Sequence, residues 1–165
     1  MGLSERVSEP AAPAQAAPDV LDALTLLEEE HRQILTLFHE FETADVMRKT
    51  RIVDWICRTL REHAQIEEEI LYPAARDALV CDGDLIDDTG TEHASIKVLV
   101  GRLEQTGPAD EHYDALVRVL ADYVKYHLEE EEQQLFPRLR VADLDLLKIG
   151  AQLSLRRNEL QGQRS

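Results

Sequence analysis

Two histidine–glutamate pairs of one spacing mark this chain: His63 and Glu67 in His63-Ala-Gln-Ile-Glu67, and His127 and Glu131 in His127-Leu-Glu-Glu-Glu131. On an α-helix, positions i and i+4 lie about 40° apart and about 6 Å along the axis, so each pair projects from one face. Imidazole beside carboxylate is a donor set that can grip a metal ion. Two further histidines, His31 and His93, each follow a glutamate, Glu30 and Glu92.

These pieces belong to a longer internal repeat. Glu68 and Glu132 share an offset within it, as do Leu71 and Leu135, the aromatics Tyr72 and Phe136, and the prolines Pro73 and Pro137. The chain reads A-B-A′-B′, two helical hairpins of one design. Each hairpin supplies one His from A and one His-x-x-x-Glu from B.

The elements that must position these groups are helices. Apolar residues at three- and four-residue steps place His31 inward on a first helix, from about Val20 to Phe41, among Leu24, Leu27, Leu35 and Phe38. A second helix, from about Lys49 to Ala78, carries His63 and Glu67 on its apolar side, with Glu68 and Glu69 rotated roughly 120–140° away. Pro73 inside that pattern calls for a kink or local opening. The stretch Asp82 to Gly90 reads as a turn into a third helix from Thr91, whose inner face carries His93, Ile96 and Lys97. A fourth helix, from about Asp110 to Arg138, aligns Leu120, Tyr123, Val124, His127 and Glu131, with Glu130 as an alternative to Glu131. An amphipathic stretch from Asp143 to about Leu160 makes a short closing helix on Leu144, Leu147, Leu153 and Leu155. No convincing alternating segment appears, so the fold class is all-α: an up-down-up-down four-helix bundle with an additional short C-terminal helix.

Composition narrows the function. The 165 residues suit one domain. Residues 1–20, rich in Ala and Pro, read as a flexible leader, residues 21–160 as the domain and 161–165 as a disordered tail. A formal charge of −15 argues against contact with nucleic acid or anionic membrane. No apolar run approaches the roughly 20 residues of a membrane span, and no secretory signal is visible, so a cytoplasmic protein is expected. Cys57 and Cys81 form neither a zinc spacing nor a disulfide framework.

Burying four imidazoles and two carboxylates without counter-charge would be costly, and a metal ion supplies that charge. The set exceeds the four ligands of a closed structural zinc site and contains no thiolates. Imidazole with carboxylate suits iron, with zinc or manganese open on affinity grounds. By the repeat symmetry His31 and His63 would hold one ion, His93 and His127 the other, with Glu67 and Glu131 bridging. Glu28 and Thr59 are candidates to orient imidazole N–H groups. Tyr123, one turn before His127, packs in the core or could hydrogen-bond or be oxidised near the metals, while His39 and His112 face solvent.

The combination of Glu-Glu-His31-Arg, His63-x-x-x-Glu67 with its Leu-Tyr-Pro tail, Glu92-His93, and His127-x-x-x-Glu131 with its Leu-Phe-Pro tail resembles the haemerythrin-like (HHE cation-binding) family over about residues 22–160. The resemblance implies a bundle around two non-haem iron ions, carboxylate-bridged and often oxo- or hydroxo-bridged. It also implies a departure. Oxygen-carrying members have a fifth histidine where Lys97 stands, and a protonated lysine cannot ligate, so a coordination position is left open. That favours redox turnover over oxygen storage. The subgroup with this ligand pattern implies peroxide decomposition, nitric oxide chemistry or iron-related stress responses. Lys97, which could donate a proton or pair with a bridging glutamate, and Tyr123 are the catalytic candidates. The alternative is a non-catalytic binder or buffer of oxygen, nitric oxide or iron. The expected partner is a small-molecule ligand, and the expected state a monomer or weak homo-oligomer.

Overall fold

A computed structural model describes residues 21–163; the leader assigned to residues 1–20 and the last two residues lie outside the described part. Four rods form the bundle. The first is α1 (Ala23–Thr43). The second is α2 (Val46–Ile66), a π-helical turn (Glu67–Leu71) and α3 (Tyr72–Ala78). The third is α4 (Gly83–Gln105), and the fourth is α5 (Tyr113–Glu130), a second π-helical turn (Glu131–Leu135) and α6 (Phe136–Val141). A closing helix, α7 (Leu146–Gly162), lies across α1, α2 and the first π turn. Among the described residues there is no strand.

Sequence-local chemistry sets the starts of α1, α2 and α7. Asp22 accepts from the backbone N–H groups of Leu24 (3.0 Å) and Thr25 (3.1 Å), Asp45 from Arg48 (2.8 Å) and Asp145 from Lys148 (3.0 Å). Each satisfies a donor that the first helical turn leaves without an intrahelical partner. The hairpins α1/α2 and α4/α5 pack side by side, and α1 on α5 with α2 on α4 close the ring, which is the up-down-up-down arrangement.

The core has two apolar layers. Ile34, Phe38, Leu60, Ile96 and Val124 belong to one, and Leu27, Ile66, Leu71, Ile86, Leu135 and Phe136 to the other. The four histidines fall between them in sequence on every rod, so the polar layer is walled off above and below.

Four expectations need correction. The segment Asp82–Gly90, read as a turn, is already helical from Gly83. Burial of Ile86 and Thr89, whose hydroxyl donates to the Leu85 carbonyl (2.7 Å), outweighs the roughly 1 kcal/mol that Gly90 costs in a helix. On α7 the buried residues are Ile149, Leu153 and Leu160, whereas Leu147 and Leu155 are exposed. That helix also runs through Gly162, two residues into the expected tail. Leu35, placed on the inner stripe of the first helix, is 39% exposed, because the stripe follows Leu27, His31, Ile34 and Phe38 instead.

Candidate metal centre

Both π turns begin at the glutamate of a His-x-x-x-Glu pair. The Tyr72 N–H donates to the Glu67 carbonyl and the Phe136 N–H to the Glu131 carbonyl, five residues back in each case. In a regular helix a residue five positions on would point about 140° away; the wider turn returns Tyr72 and Phe136 to the inner face. The widened turn also accommodates Pro73 and Pro137, which lack an N–H for the regular ladder. The local opening expected at Pro73 is therefore real, and it lies just before the proline.

The structure brings together all six residues singled out from the two pentads and the two Glu-His pairs. His31, His63, Glu67, His93, His127 and Glu131 are each no more than 3% exposed. His31, His63, Glu67 and Glu131 offer donor atoms that all lie within 4.8 Å of one another, and so do Glu67, His93, His127 and Glu131. The carboxylates of Glu67 and Glu131 belong to both groups. The Nε2 atoms of His31 and His63, with Glu67 Oε1 and Glu131 Oε2, are buried without a hydrogen-bond partner.

What the sequence reading missed is the outer ring of carboxylates. Each histidine Nδ1–H donates to a glutamate: His31 to Glu132 (2.7 Å), His63 to Glu30 (3.0 Å), His93 to Glu68 (3.1 Å) and His127 to Glu92 (2.8 Å). A carboxylate only accepts, so these bonds place a proton on each Nδ1 and turn each Nε2 inward. His93 Nε2 and His127 Nε2 then lie 2.9 Å apart. Two imidazole nitrogens turned on one another at that separation, beside four unpartnered buried polar atoms, form a donor set for a cation. The signal was present in the repeat: Glu30 matches Glu92 and Glu68 matches Glu132, each adjoining an inner residue. Only the packing of one rod on the next brings each against a histidine of its neighbour.

Tyr72 was also missed. Its hydroxyl donates to Glu131 Oε1 (2.7 Å) and lies 3.1 Å from His93 Nε2. Phe136, its repeat mate, stacks on His31 with centroids 5.7 Å apart. One half of the centre thus has a phenol where the other has a plain ring.

Two proposed catalytic side chains are elsewhere. Tyr123 is 52% exposed, because the buried line of α5 runs through Leu120, Val124 and His127, and Tyr123 is about 100° from Val124 on the helix. Lys97 is partly exposed and holds both oxygens of Glu68 (2.7 and 2.6 Å) rather than a shared carboxylate. Of the candidates for orienting rings, Glu28 pairs with Arg140 at the surface (2.6 Å) and Thr59 lines a groove beside His63. Side chains of His39 and His112 are about 80% exposed, as their wheel positions required.

The electrostatics of the buried layer are uneven. Desolvation, with the other histidines, pulls His31 down to about 3, so its ring is neutral. Desolvation opposes charge on His63 too, but Glu67 and Glu30 outweigh it and lift His63 to about 9. Burial and the neighbouring Glu67 push Glu131 up to about 8, while the histidines hold Glu67 below the usual carboxylate range against its own desolvation. One carboxylate is thus charged and the other resists charge, which is how two like groups behave when no cation lies between them.

A helical bundle whose core presents paired histidines and shared carboxylates is a metal-binding bundle. The model of the Hemerythrin HHE cation binding domain matches residues 22–143, and the chain belongs to that family. A hemerythrin HHE cation-binding domain-containing protein of Mycobacterium kansasii has the same fold, with a TM-score of 0.75 at 22% identity, over 87% of this chain and 89% of that one. Among curated proteins, a DNA nickase of a Nostoc species is 30% identical over 112 residues, 67% of this chain and 31% of its own length. A chaperone protein HscA homolog of Burkholderia thailandensis is 41% identical over 76 residues, 45% of this chain and 12% of its own. The chain therefore spans less than a third of the curated relatives it matches.

Proposed function

We propose that the centre holds two non-haem iron ions, one on His31 and His63, the other on His93 and His127, with Glu67 and Glu131 shared, and that the protein decomposes hydrogen peroxide. The observation that carries the first part is the four buried, unpartnered donor atoms of His31, His63, Glu67 and Glu131, set beside the facing Nε2 atoms of His93 and His127. The donor set of imidazole and carboxylate fits iron. A pair of such ions, when bound, supplies the redox change that peroxide disproportionation requires.

The chain's own residues do the rest. The outer glutamates orient the four rings, and the apolar layers containing Leu27, Ile34, Phe38, Ile66 and Phe136 keep bulk water and large solutes out. That enclosure supports a ligand no larger than a few atoms. Tyr72 holds a proton at Oη against Glu131, and burial with the adjacent Glu131 and Glu67 raises the phenol well above its ordinary range, so the hydroxyl stays protonated and hydrogen-bonded there. Lys97 and Tyr123 are not assigned the proton.

The enclosure also suits the second reading, reversible binding of oxygen or nitric oxide. Iron content of protein purified without added metal tests the centre, and about two irons per chain are expected. Stopped-flow oxygen release from peroxide, compared with the same amount of free iron, separates the functions: release above free iron supports turnover. A stable spectral change that reverses when the gas is removed, with no release, supports binding. The nickase and chaperone activities of the curated relatives are not assigned to this chain, which spans a minor part of each, and its charge of −15 does not favour a DNA backbone.

A further inference from the structure

We propose that Arg157 and Lys97 are positioning residues, each backing one histidine of a different metal ion through a carboxylate, and that they set the affinities of the two ions separately. The inference rests on the two-ion reading above. Arg157 Nη1 bonds Glu30 Oε1, and the other oxygen of Glu30 accepts from His63 Nδ1 at 3.0 Å. Lys97 Nζ holds both oxygens of Glu68, and Glu68 Oε1 accepts from His93 Nδ1 at 3.1 Å. Each chain of contacts runs from solvent to a buried ring. The first opens into a groove of about 800 Å³ between α1, α2 and α7, lined by Arg32, Trp55, His63 and Arg157.

The repeat makes all four outer glutamates equivalent in pairs, Glu30 with Glu92 and Glu68 with Glu132. The cations break that equivalence. Among the described residues, neither Glu92 nor Glu132 forms an ion pair with a lysine or arginine. Each ion would thus have one backed histidine and one unbacked. Glu30 is only 8% exposed, and a buried carboxylate needs a counter-charge. Arg157 anchors Glu30 by one oxygen while the other accepts from His63, and an anchored carboxylate fixes the imidazole. Lysine at Glu68 is a point charge on a flexible stem, so the two relays are chemically unlike. Arg157 comes from α7, outside the residues 22–143 that the family model matches.

The test is anaerobic titration of the full chain with ferrous ion, followed by calorimetry and by absorption. Wild type should bind two ions. Arg157→Gln should weaken one step and Lys97→Gln the other, each about tenfold, the lower end of what an outer-shell partner is worth. The double variant should weaken both, and Arg157→Lys should recover part of the first loss. Arg156→Gln is the control for docking of α7, since Arg156 anchors that helix to Glu69 (2.6 Å), which contacts no histidine; both steps should survive it. Unchanged affinities in Arg157→Gln and Lys97→Gln, with two ions bound, overturn the relays alone. So does a loss in Arg156→Gln equal to that in Arg157→Gln. A wild-type chain that takes up no pair of ions defeats the two-ion reading and the relays with it.

Discussion

The Tyr72 hydroxyl is a neutral proton donor lying against two shared carboxylates and a histidine nitrogen, 2.7 Å from Glu131, 3.1 Å from His93 and 3.5 Å from Glu67. Replacing it by Phe keeps the ring volume, as Phe136 does in the other half. Tyr72→Phe should retain iron while oxygen release from peroxide falls about a hundredfold, the usual worth of a positioned proton donor. Loss of iron in step with the rate would make Tyr72 a holder of metal instead. The thiols give an independent check on packing. Burial, with Glu104 nearby, pushes the Cys57 thiol up to about 12, whereas Cys81 is exposed. The thiolate is the reactive form, so a thiol reagent at pH 8 should label Cys81 in the native protein and Cys57 only after denaturation. Rapid native labelling of Cys57 would contradict the packing of α2 on the core.

At the scale of elements, the π turns let one short stretch serve two neighbours. Glu67 faces the centre while Glu68, next to it, reaches His93 on α4, and Tyr72 returns to the inner face. A prolonged regular helix would instead leave Tyr72 about 140° from Glu67. Helix α7 is held by chemistry on one side and by close approach on the other. A Cβ on Gly150 would lie 2.3 Å from the Leu21 carbonyl oxygen and 2.9 Å from the Ala23 nitrogen. Both are backbone atoms at the start of α1 and cannot swing aside. Gly150→Ala should therefore gain nothing from helix propensity and lose about 1–3 kcal/mol to overpacking. Thermal unfolding followed by circular dichroism measures it, and an unchanged or higher Tm would show that α7 does not seat on α1 as described.

At the scale of the whole molecule, the buried layer couples folding to metal and to pH. In the metal-free chain Glu131 at about 8 and His63 at about 9 hold protons that the unfolded chain, with ordinary values of 4.5 and 6.5, has released by neutral pH. Groups raised in the folded state contribute stability that is lost as pH climbs through their folded values. His31, lowered to about 3, works the other way, but only below 6.5. The metal-free protein should lose stability from about pH 6.5 to 9. Metal binding requires those protons to leave, so the gain in Tm on loading with iron should widen over the same window. A metal-free Tm that rises with pH there would mean that the carboxylates and imidazoles do not share one buried layer.

How much was legible follows from the range of each interaction. Helix periodicity and the doubled His-x-x-x-Glu are short-range patterns, so the all-α bundle and the convergence of His31, His63, Glu67, His93, His127 and Glu131 were readable from residue types and spacing alone. Tyr123 misled because a helical wheel does not show how wide the buried face is, and on α5 that face runs through Leu120, Val124 and His127 and leaves Tyr123 out. Tyr72 was hidden because one widened turn rotates everything after it. The outer carboxylates Glu30, Glu68, Glu92 and Glu132 lie on faces that look solvent-bound on their own helix, and become partners only when another rod packs there. Residue chemistry and periodicity thus determined which groups meet at the centre. Which groups stand behind them, and how Arg157 from a distant helix reaches His63, was decided only by the packing of the rods, since those contacts join residues with no periodic relation along the chain.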